Sequence, residues 1–304
     1  MKEKVLFLLG MTGSGKSDVA VELAKVFHGE IISADSVQVY RDFNIGSAKI
    51  TEAETKGIPH FGIDIVSPNE EFNTHEFVEF AKQKIQEITS RKHLPIVVGG
   101  TALFVKALLL GYNLGDTKPN PELRRQLEQE YDEKGGDELA KRLETLCPGA
   151  ADKIDVNNKT RLVRALEIAL SGGQKTAKAQ KQYDSIIFAL TPDRQLAYER
   201  INKRVDKMLA NGLIEEVKNL LEKYGRDVPP LRAIGYKETC QYLDGEIDKQ
   251  TMTEKIKQHT RNYAKRQLTF LRGMEGVHYV TNSDKKEILS QIIKEAKPWL
   301  SANK

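Results

Sequence analysis

Gly10-Met11-Thr12-Gly13-Ser14-Gly15-Lys16-Ser17 has the spacing G-x-x-x-x-G-K-[ST], a phosphate-cradling loop where it joins a strand to a helix. The residue types suit that chemistry. Glycines let the backbone N–H groups of Thr12 to Ser17 turn toward phosphate oxygens, and the following helix adds partial positive charge. Lys16 can reach the terminal phosphate, and the Ser17 hydroxyl can ligate Mg2+. A di- or triphosphate ligand follows, without its identity. Asp35 is the second candidate. It ends the apolar run Glu30–Ala34, and ligands of an open parallel sheet bind outside the carboxyl ends of strands. Asp35 could act as Mg2+ ligand, as general base, or as both. The N-K-x-D base reader of a GTPase is missing, and Val98-Gly99-Gly100-Thr101 lacks the acid an ATPase usually places after a strand.

Holding these groups together requires strands and helices at definite places. Lys4–Leu9 is a continuous apolar run, as expected of a strand buried on both faces of a parallel sheet. Asp18–Phe27 carries Val19, Leu23 and Val26 at helical spacing, and Glu30–Ala34 reads as a second strand. Arg41–Asn73 is rich in Gly, Pro and polar residues and reads as an active-site loop. Thr74–Ser90 places Phe77, Ala81, Ile85 and Ile88 on one helical face. Leu94–Val98 is a third strand, followed by a helix through Leu110.

The pattern changes after the turn-rich seam Gly115–Pro121. From Glu122 to about Lys181 the chain reads as charged helix. Ser185–Leu190 is then a strand, Arg194 to about Tyr224 a long helix, Thr253–Leu271 a helical block and Val277–Val280 a short strand, before a last helix to about Trp299. The expected fold is α/β, a P-loop NTPase-like parallel sheet core with an inserted helical domain. Residues 1–115 and 184–304 would form the core, and 116–183 the insertion.

Composition bounds the function. Of 304 residues, 39% are hydrophobic and 30% charged, which suits a globular chain with ample core. Cys147 and Cys240 are too few and too far apart for a structural zinc site, and read as two small buried hydrophobes. The six histidines show no metal spacing, and Trp299 reads as a packing anchor. No apolar run approaches the ~20 residues of a membrane helix, so a cytoplasmic protein without a membrane partner is expected. Lys and Arg total 47 against 43 acids, too even a balance to name a partner. Their distribution is uneven. Lys255 to Arg272 holds six bases and no acid, with Lys257, Arg261 and Lys265 four apart on one helical ridge. Asp155 to Lys181 holds six bases against two acids. Two such runs point to RNA backbone contacts.

Beyond the phosphate loop, several blocks resemble one family in order. They are Asp35-Ser36-Val37-Gln38-Val39-Tyr40-Arg41, Asn44-Ile45-Gly46-Ser47-Ala48-Lys49, Pro59-His60-Phe61-Gly62-Ile63-Asp64 and Val98-Gly99-Gly100-Thr101-Ala102-Leu103-Phe104. Arg161-Leu162-Val163-Arg164-Ala165-Leu166-Glu167, Ala233-Ile234-Gly235-Tyr236-Lys237-Glu238 and Thr260-Arg261-Asn262-Tyr263-Ala264-Lys265-Arg266-Gln267 continue the series. Together they resemble the bacterial tRNA dimethylallyltransferases, also called tRNA isopentenyltransferases, from about residue 5 to residue 280. Met11, Gly13 and Ser17 depart from the family's usual loop, while Thr12 and Lys16 remain. The zinc finger of eukaryotic relatives finds no counterpart in two scattered cysteines.

The resemblance implies transfer of a dimethylallyl group from dimethylallyl diphosphate to N6 of adenosine 37, beside the anticodon of tRNAs that read codons beginning with U. Mg2+ is the implied cofactor. The diphosphate site would comprise Gly10 to Ser17, with Arg204 as a further clamp and Ser17 on the metal. Asp35 would take the N6 proton, and Thr12, Lys16 and Thr101 would complete the catalytic set. The resemblance places tRNA against Asp35, Ser36, Val37, Gln38, Thr101 and Arg124. Further tRNA positions are Thr160, Arg161, Leu162, Val163, Arg164, Arg232, Ala233, Ile234, Gly235, Tyr236 and Lys237. The charge runs add Arg261 and Lys265. The partner would be the anticodon stem-loop, with its adenosine extruded toward the donor, and the enzyme a monomer. Two other classes fit part of the pattern: an ATP-dependent P-loop kinase for small molecules or nucleosides, and a non-catalytic tRNA-binding module.

Overall fold

Apolar runs alternating with helical periods bury both faces of a sheet when each strand lies parallel to its neighbour and each helix returns across a face. The computed structural model describes residues 2–111, 120–171, 181–281 and 284–302. Two compact units divide the chain: Met1–Gly111 with Lys181–Lys304, and Tyr112–Gln180. The first opens with β1 (Lys4–Gly10), α1 (Lys16–Phe27), β2 (Gly29–Ala34), α2 (Glu52–Thr55), β3 (His60–Phe61), α3 (Thr74–Ser90), β4 (Leu94–Gly99) and α4 (Ala102–Leu110). The second holds α5 (Pro121–Lys134), α6 (Gly136–Leu146) and α7 (Lys159–Leu170). The first then resumes with β5 (Asp184–Leu190), α8 (Arg194–Ala210), α9 (Leu213–Tyr224), α10 (Tyr236–Leu243), α11 (Lys249–Arg272), β6 (Val277–Val280) and α12 (Lys285–Ser301).

The described strands form one parallel sheet in the order β3-β2-β4-β1-β5-β6. β1 is central, with Leu8 opposite Val98 of β4 and Phe188 of β5. Leu6, Leu8, Ile96 and Phe188 join Val19 and Leu23 of α1 and Ile288 and Ile292 of α12 in one buried cluster. The alternate residues Val5, Phe7 and Leu9 are also buried, as period-2 alternation demands of a strand covered on both sides. Rings of Phe77 and Phe104 stack 4.4 Å apart and lock α3 to α4. Trp299 acts as the expected anchor, donating from Nε1 to Asp184 Oδ1 at 2.8 Å.

Three elements differ from the pattern. The segment 41–73 is not all loop: it holds α2 and the edge strand β3, whose His60 and Phe61 pair with Ile31 and Ile32. The helix expected from Arg194 to Tyr224 is two helices, parted at Asn211 and Gly212, where Gly212 has φ of 96°. Cys147 and Cys240 are half-buried at the edges of two clusters rather than inside them. The seam expected at 115–121 lies, up to residue 119, outside the described residues. So do Lys175 and Lys178 of the second basic run.

In the second unit Leu127, Leu139, Leu143, Leu162 and Leu166 form the core of α5, α6 and α7. One buried acid joins two of these helices. Glu167 is fully buried and accepts from Asn120 N at 2.8 Å, Arg124 Nη2 at 2.9 Å and Arg164 Nη1 at 2.7 Å. Burial opposes its charge, but the bonds from Arg164, the Asn120 amide and Arg124 prevail and hold its pKa below the usual 4.5. The folded pKa is therefore the lower one. The cluster stabilises fully above the unfolded pKa, and its contribution fades as pH falls through the folded value. Glu167→Gln should cost about 2 kcal/mol at pH 7, the range of a charged hydrogen bond. Urea unfolding of the full chain should show that deficit at pH 7 and a smaller one at pH 3.

Candidate active site

The carboxyl ends of β1, β2 and β4 lie side by side and bring three loops to one edge of the sheet. The loop after β1 turns sharply, with Gly13 at φ 78° and Gly15 at φ 81°, values that a side chain would strain. Lys16 opens α1 and, with Ser17, lines a pocket that also contains Thr12, Asp35 and Arg204. Burial, then the nearby Arg204 cation, push Lys16 down to about 8, against the attraction of Asp35. Burial also lowers Arg204, again opposed by Asp35. Both cations thus sit where an entering anion would relieve a strained charge.

Not every residue of the loop faces that pocket. Met11 packs into an apolar cluster with Ala197, Ile201 and Ala264, and Ser14 is buried, so their side chains do not serve the ligand. Two amides expected to bind phosphate are also committed elsewhere. Thr12 N donates to Gln267 Oε1 at 2.8 Å, and Ser14 N to Met11 O at 3.2 Å. Gly13, Gly15, Lys16 and Ser17 keep the anion-binding amides.

Asp35 is held in a tight turn, its Oδ1 accepting from Val37 N at 2.9 Å and Gln38 N at 3.2 Å. Its other oxygen, Oδ2, accepts none of the hydrogen bonds found among the described residues. Asp35, Thr12, Arg204 and Tyr263 line both the phosphate pocket and an adjoining, more apolar chamber of about 340 Å³. That volume suits a small-molecule moiety or a single base. Thr101 Oγ1 accepts from Ser36 N at 3.2 Å, so the β4 loop steadies the residue after Asp35. Arg204, on α8, donates from Nη1 to Thr12 Oγ1 and from Nη2 to Ser47 O, each at 3.4 Å.

The far wall of the chamber is pinned by a partly buried network. Glu216 of α9 accepts from Asn44 N at 3.1 Å, Ile45 N at 2.7 Å and Gly46 N at 3.1 Å. Tyr236 Oη donates to Glu216 Oε1 at 2.8 Å and accepts from Ser47 N at 3.1 Å. Tyr236 was expected at a tRNA surface. It is fully buried and holds this wall instead. Arg232, Ala233, Ile234 and Gly235 do line the chamber, with Arg232 and Lys237 exposed.

Other expected tRNA contacts also need correction. Leu162 and Val163 are core residues of the second unit; Arg124 and Arg164 each bond Glu167 but stay partly exposed, and Thr160 and Arg161 of that block are exposed. On α11 the ridge of Lys257 and Arg261 faces α8, where Lys257 pairs with Asp206 at 2.8 Å and Arg261 Nη1 donates to Asn202 at 2.7 Å. The exposed basic stripe lies one step round the helix, through Asn262, Lys265, Arg266, Thr269 and Arg272. Sequence reasoning passed over Tyr263, Gln267 and Glu216. A lone polar Gln on the apolar face of α11, between Ala264 and Leu271, was the one available signal.

The donors present fit Mg2+. Ser17 and Asp35 offer hard oxygen atoms on one pocket, and Mg2+ takes few protein ligands when a substrate phosphate and water supply the rest.

Comparison with known proteins agrees with this architecture. The IPP transferase family model matches residues 38–274. A tRNA dimethylallyltransferase of Exiguobacterium is 45% identical over 273 residues, 89% of this chain and 88% of that protein. The crystal structure of the full-length tRNA isopentenylpyrophosphate transferase of Bacillus halodurans is similar at a TM-score of 0.77 and 40% identity, covering 99% of this chain and 98% of that one. A eukaryotic dimethylallyltransferase acting on tRNA reaches 0.85 at 29% identity, covering 99% and 80%. With a family match over most of its length and relatives of this identity along nearly all of it, the chain belongs to the IPP transferase family.

Proposed function

We propose that this enzyme is a tRNA dimethylallyltransferase that moves the dimethylallyl group of dimethylallyl diphosphate to N6 of adenosine 37. The carrying observation is the pair of adjoining pockets, one cationic and one more apolar, with Asp35 on the boundary. A P-loop kinase would also pair a phosphate pocket with an acceptor pocket, but the relatives are named as prenyl transferases rather than kinases.

In the reaction the allylic C–O bond breaks, the N6–C bond forms, and N6 gives up one proton. Lys16, Arg204 and the free loop amides offset negative charge growing on the leaving diphosphate, the electrostatic contribution usually largest in catalysis. Bound Mg2+, held by Ser17, would supply further charge neutralisation on that group. Asp35 Oδ2 takes the N6 proton while Oδ1 stays tied to the turn. Thr101 keeps Ser36 and the neighbouring acid in place beside the extruded adenine. All of these groups come from one chain, so the site needs no second copy, and a monomer acting in the cytoplasm belongs to the same reading. Among the described residues no helix is long and apolar enough to cross a membrane.

The anticodon stem-loop would lie over Arg232 and Lys237 and along the exposed stripe of α11; in the second unit, Thr160 and Arg161 are the exposed candidates for tRNA contact. Lys265→Ala should lower the slope of log affinity against log salt by about 1, the signature of one phosphate contact. Arg261→Ala should leave the slope unchanged and lower the melting temperature, because Arg261 bonds Asn202.

The decisive assay mixes the chain with Mg2+, labelled dimethylallyl diphosphate and an unmodified tRNA carrying adenosine at position 37. Label should appear on that nucleotide, and its absence beside an active control overturns the assignment. Asp35→Asn should lower turnover by about 10²–10⁴-fold, the usual worth of a general base, with tRNA affinity largely intact. Lys16 must be protonated to receive diphosphate. Since its pKa lies near 8, kcat/KM for dimethylallyl diphosphate should fall as pH rises through about 8. Lys16→Met should be slow throughout and show no such step.

A further inference from the structure

We infer that Gln267 is a positioning residue of this reaction, the side chain that sets the spacing between the leaving-group loop and the acceptor loop. The inference rests on the transferase reading above. Gln267 projects from α11 and is only 5% exposed, yet both ends of its amide are used. Oε1 accepts from Thr12 N at 2.8 Å in the loop after β1. Nε2 donates to Gly100 O at 3.0 Å in the loop after β4. Gly100 is followed by Thr101, whose hydroxyl receives Ser36 N beside Asp35. A single planar amide therefore links the strand end that carries the phosphate loop to the one that steadies the general base.

The fit is close on both sides. A Cβ at position 100 would stand 2.1 Å from Gln267 Nε2, so only glycine admits the amide there. The Tyr263 phenol, which borders both pockets, interacts with the side chains of Thr101 and Gln267. A buried amide is costly unless its donor and acceptor are both matched, and here each meets its complement. Packing alone would be served by Met or Leu, as at Leu271 one turn along. The polar choice is explained by registration of two loops whose relative shift of about 1 Å would misalign leaving group and amine.

The test uses two variants of the full chain. Gln267→Met keeps length and apolar packing while deleting both bonds. Its turnover should fall by about 10- to 100-fold, with tRNA affinity within about twofold of wild type. Gln267→Glu keeps the acceptor for Thr12 N but sets a carboxylate oxygen against Gly100 O. Protonated, the same carboxyl can donate to Gly100 O, and burial favours that neutral form. Its turnover relative to wild type should therefore be lowest near pH 8 and recover toward pH 6. Lys16, Asp35, Arg204 and Tyr263 line the same pocket and are common to both proteins, so the ratio removes the part of their titration that the substitution leaves unaltered. A purely structural role predicts a lower melting temperature with no pH-dependent recovery. Wild-type turnover in Gln267→Met, or a ratio flat with pH in Gln267→Glu, overturns the inference. A wild-type control that transfers nothing overturns it together with the transferase reading, and the control tells the two failures apart.

Discussion

Two cations held near one another, Lys16 and Arg204, set the conditions that the rest of the site must meet. Burial disfavours both charges, the Arg204 cation further disfavours that of Lys16, and among the groups acting on them only Asp35 favours them. An arrangement of this kind persists when the surrounding structure over-determines it and an anionic ligand completes it. The over-determination is visible. Lys16 is fixed by the start of α1, Arg204 by α8 and its bonds to Thr12 and Ser47, and Thr12 in turn by Gln267. A water-facing lysine on a loose loop would meet the same diphosphate with less gain, since high dielectric weakens the attraction.

The acceptor side is built by the opposite device. Its wall, residues 44–47, is irregular backbone whose N–H groups need partners, and the Glu216 carboxylate supplies them with Tyr236. The wall is thus fastened to α9 and α10, elements more than 160 residues away in sequence. The phenol of Tyr236 is pushed far above its ordinary pKa by burial and by the adjoining Glu216 carboxylate, so it stays a neutral donor at any physiological pH. The phosphate side of the active site therefore buries charge, while the residue 44–47 wall of the chamber has its polar backbone satisfied by Glu216 and Tyr236. Asp35 stands where the two meet.

Legibility in the sequence follows the range of each interaction. The phosphate loop, the acid after β2 and the strand–helix alternation were readable, because a strand, its turn and the next helix are adjacent along the chain. The family resemblance added Arg204 and Thr101, and the structure sets Arg204 on the phosphate loop and Thr101 beside Ser36. Gln267 and Glu216 were not readable as site residues, since their partners are Thr12, Gly100 and Asn44 to Gly46, set by tertiary folding alone. Helix periodicity also left one thing open on α11. Spacing by four places Lys257, Arg261 and Lys265 on a ridge, but not in a direction, and α8 covers most of that ridge with Asp206 and Asn202.

Basic residues in this chain therefore divide by what the nearest helix offers them. Where an acid or amide reaches the cation, as Glu167 reaches Arg124 across two helices and Arg164 along its own, the charge serves internal order. Where the helix turns outward, as at Lys265, Arg266 and Arg272, the charge stays available to an external polyanion. A near-neutral total of 47 bases against 43 acids conceals this division. Local pairing, rather than net charge, decides which surface can meet RNA, because exposed cations attract phosphate over a Debye length while an already paired cation presents little field.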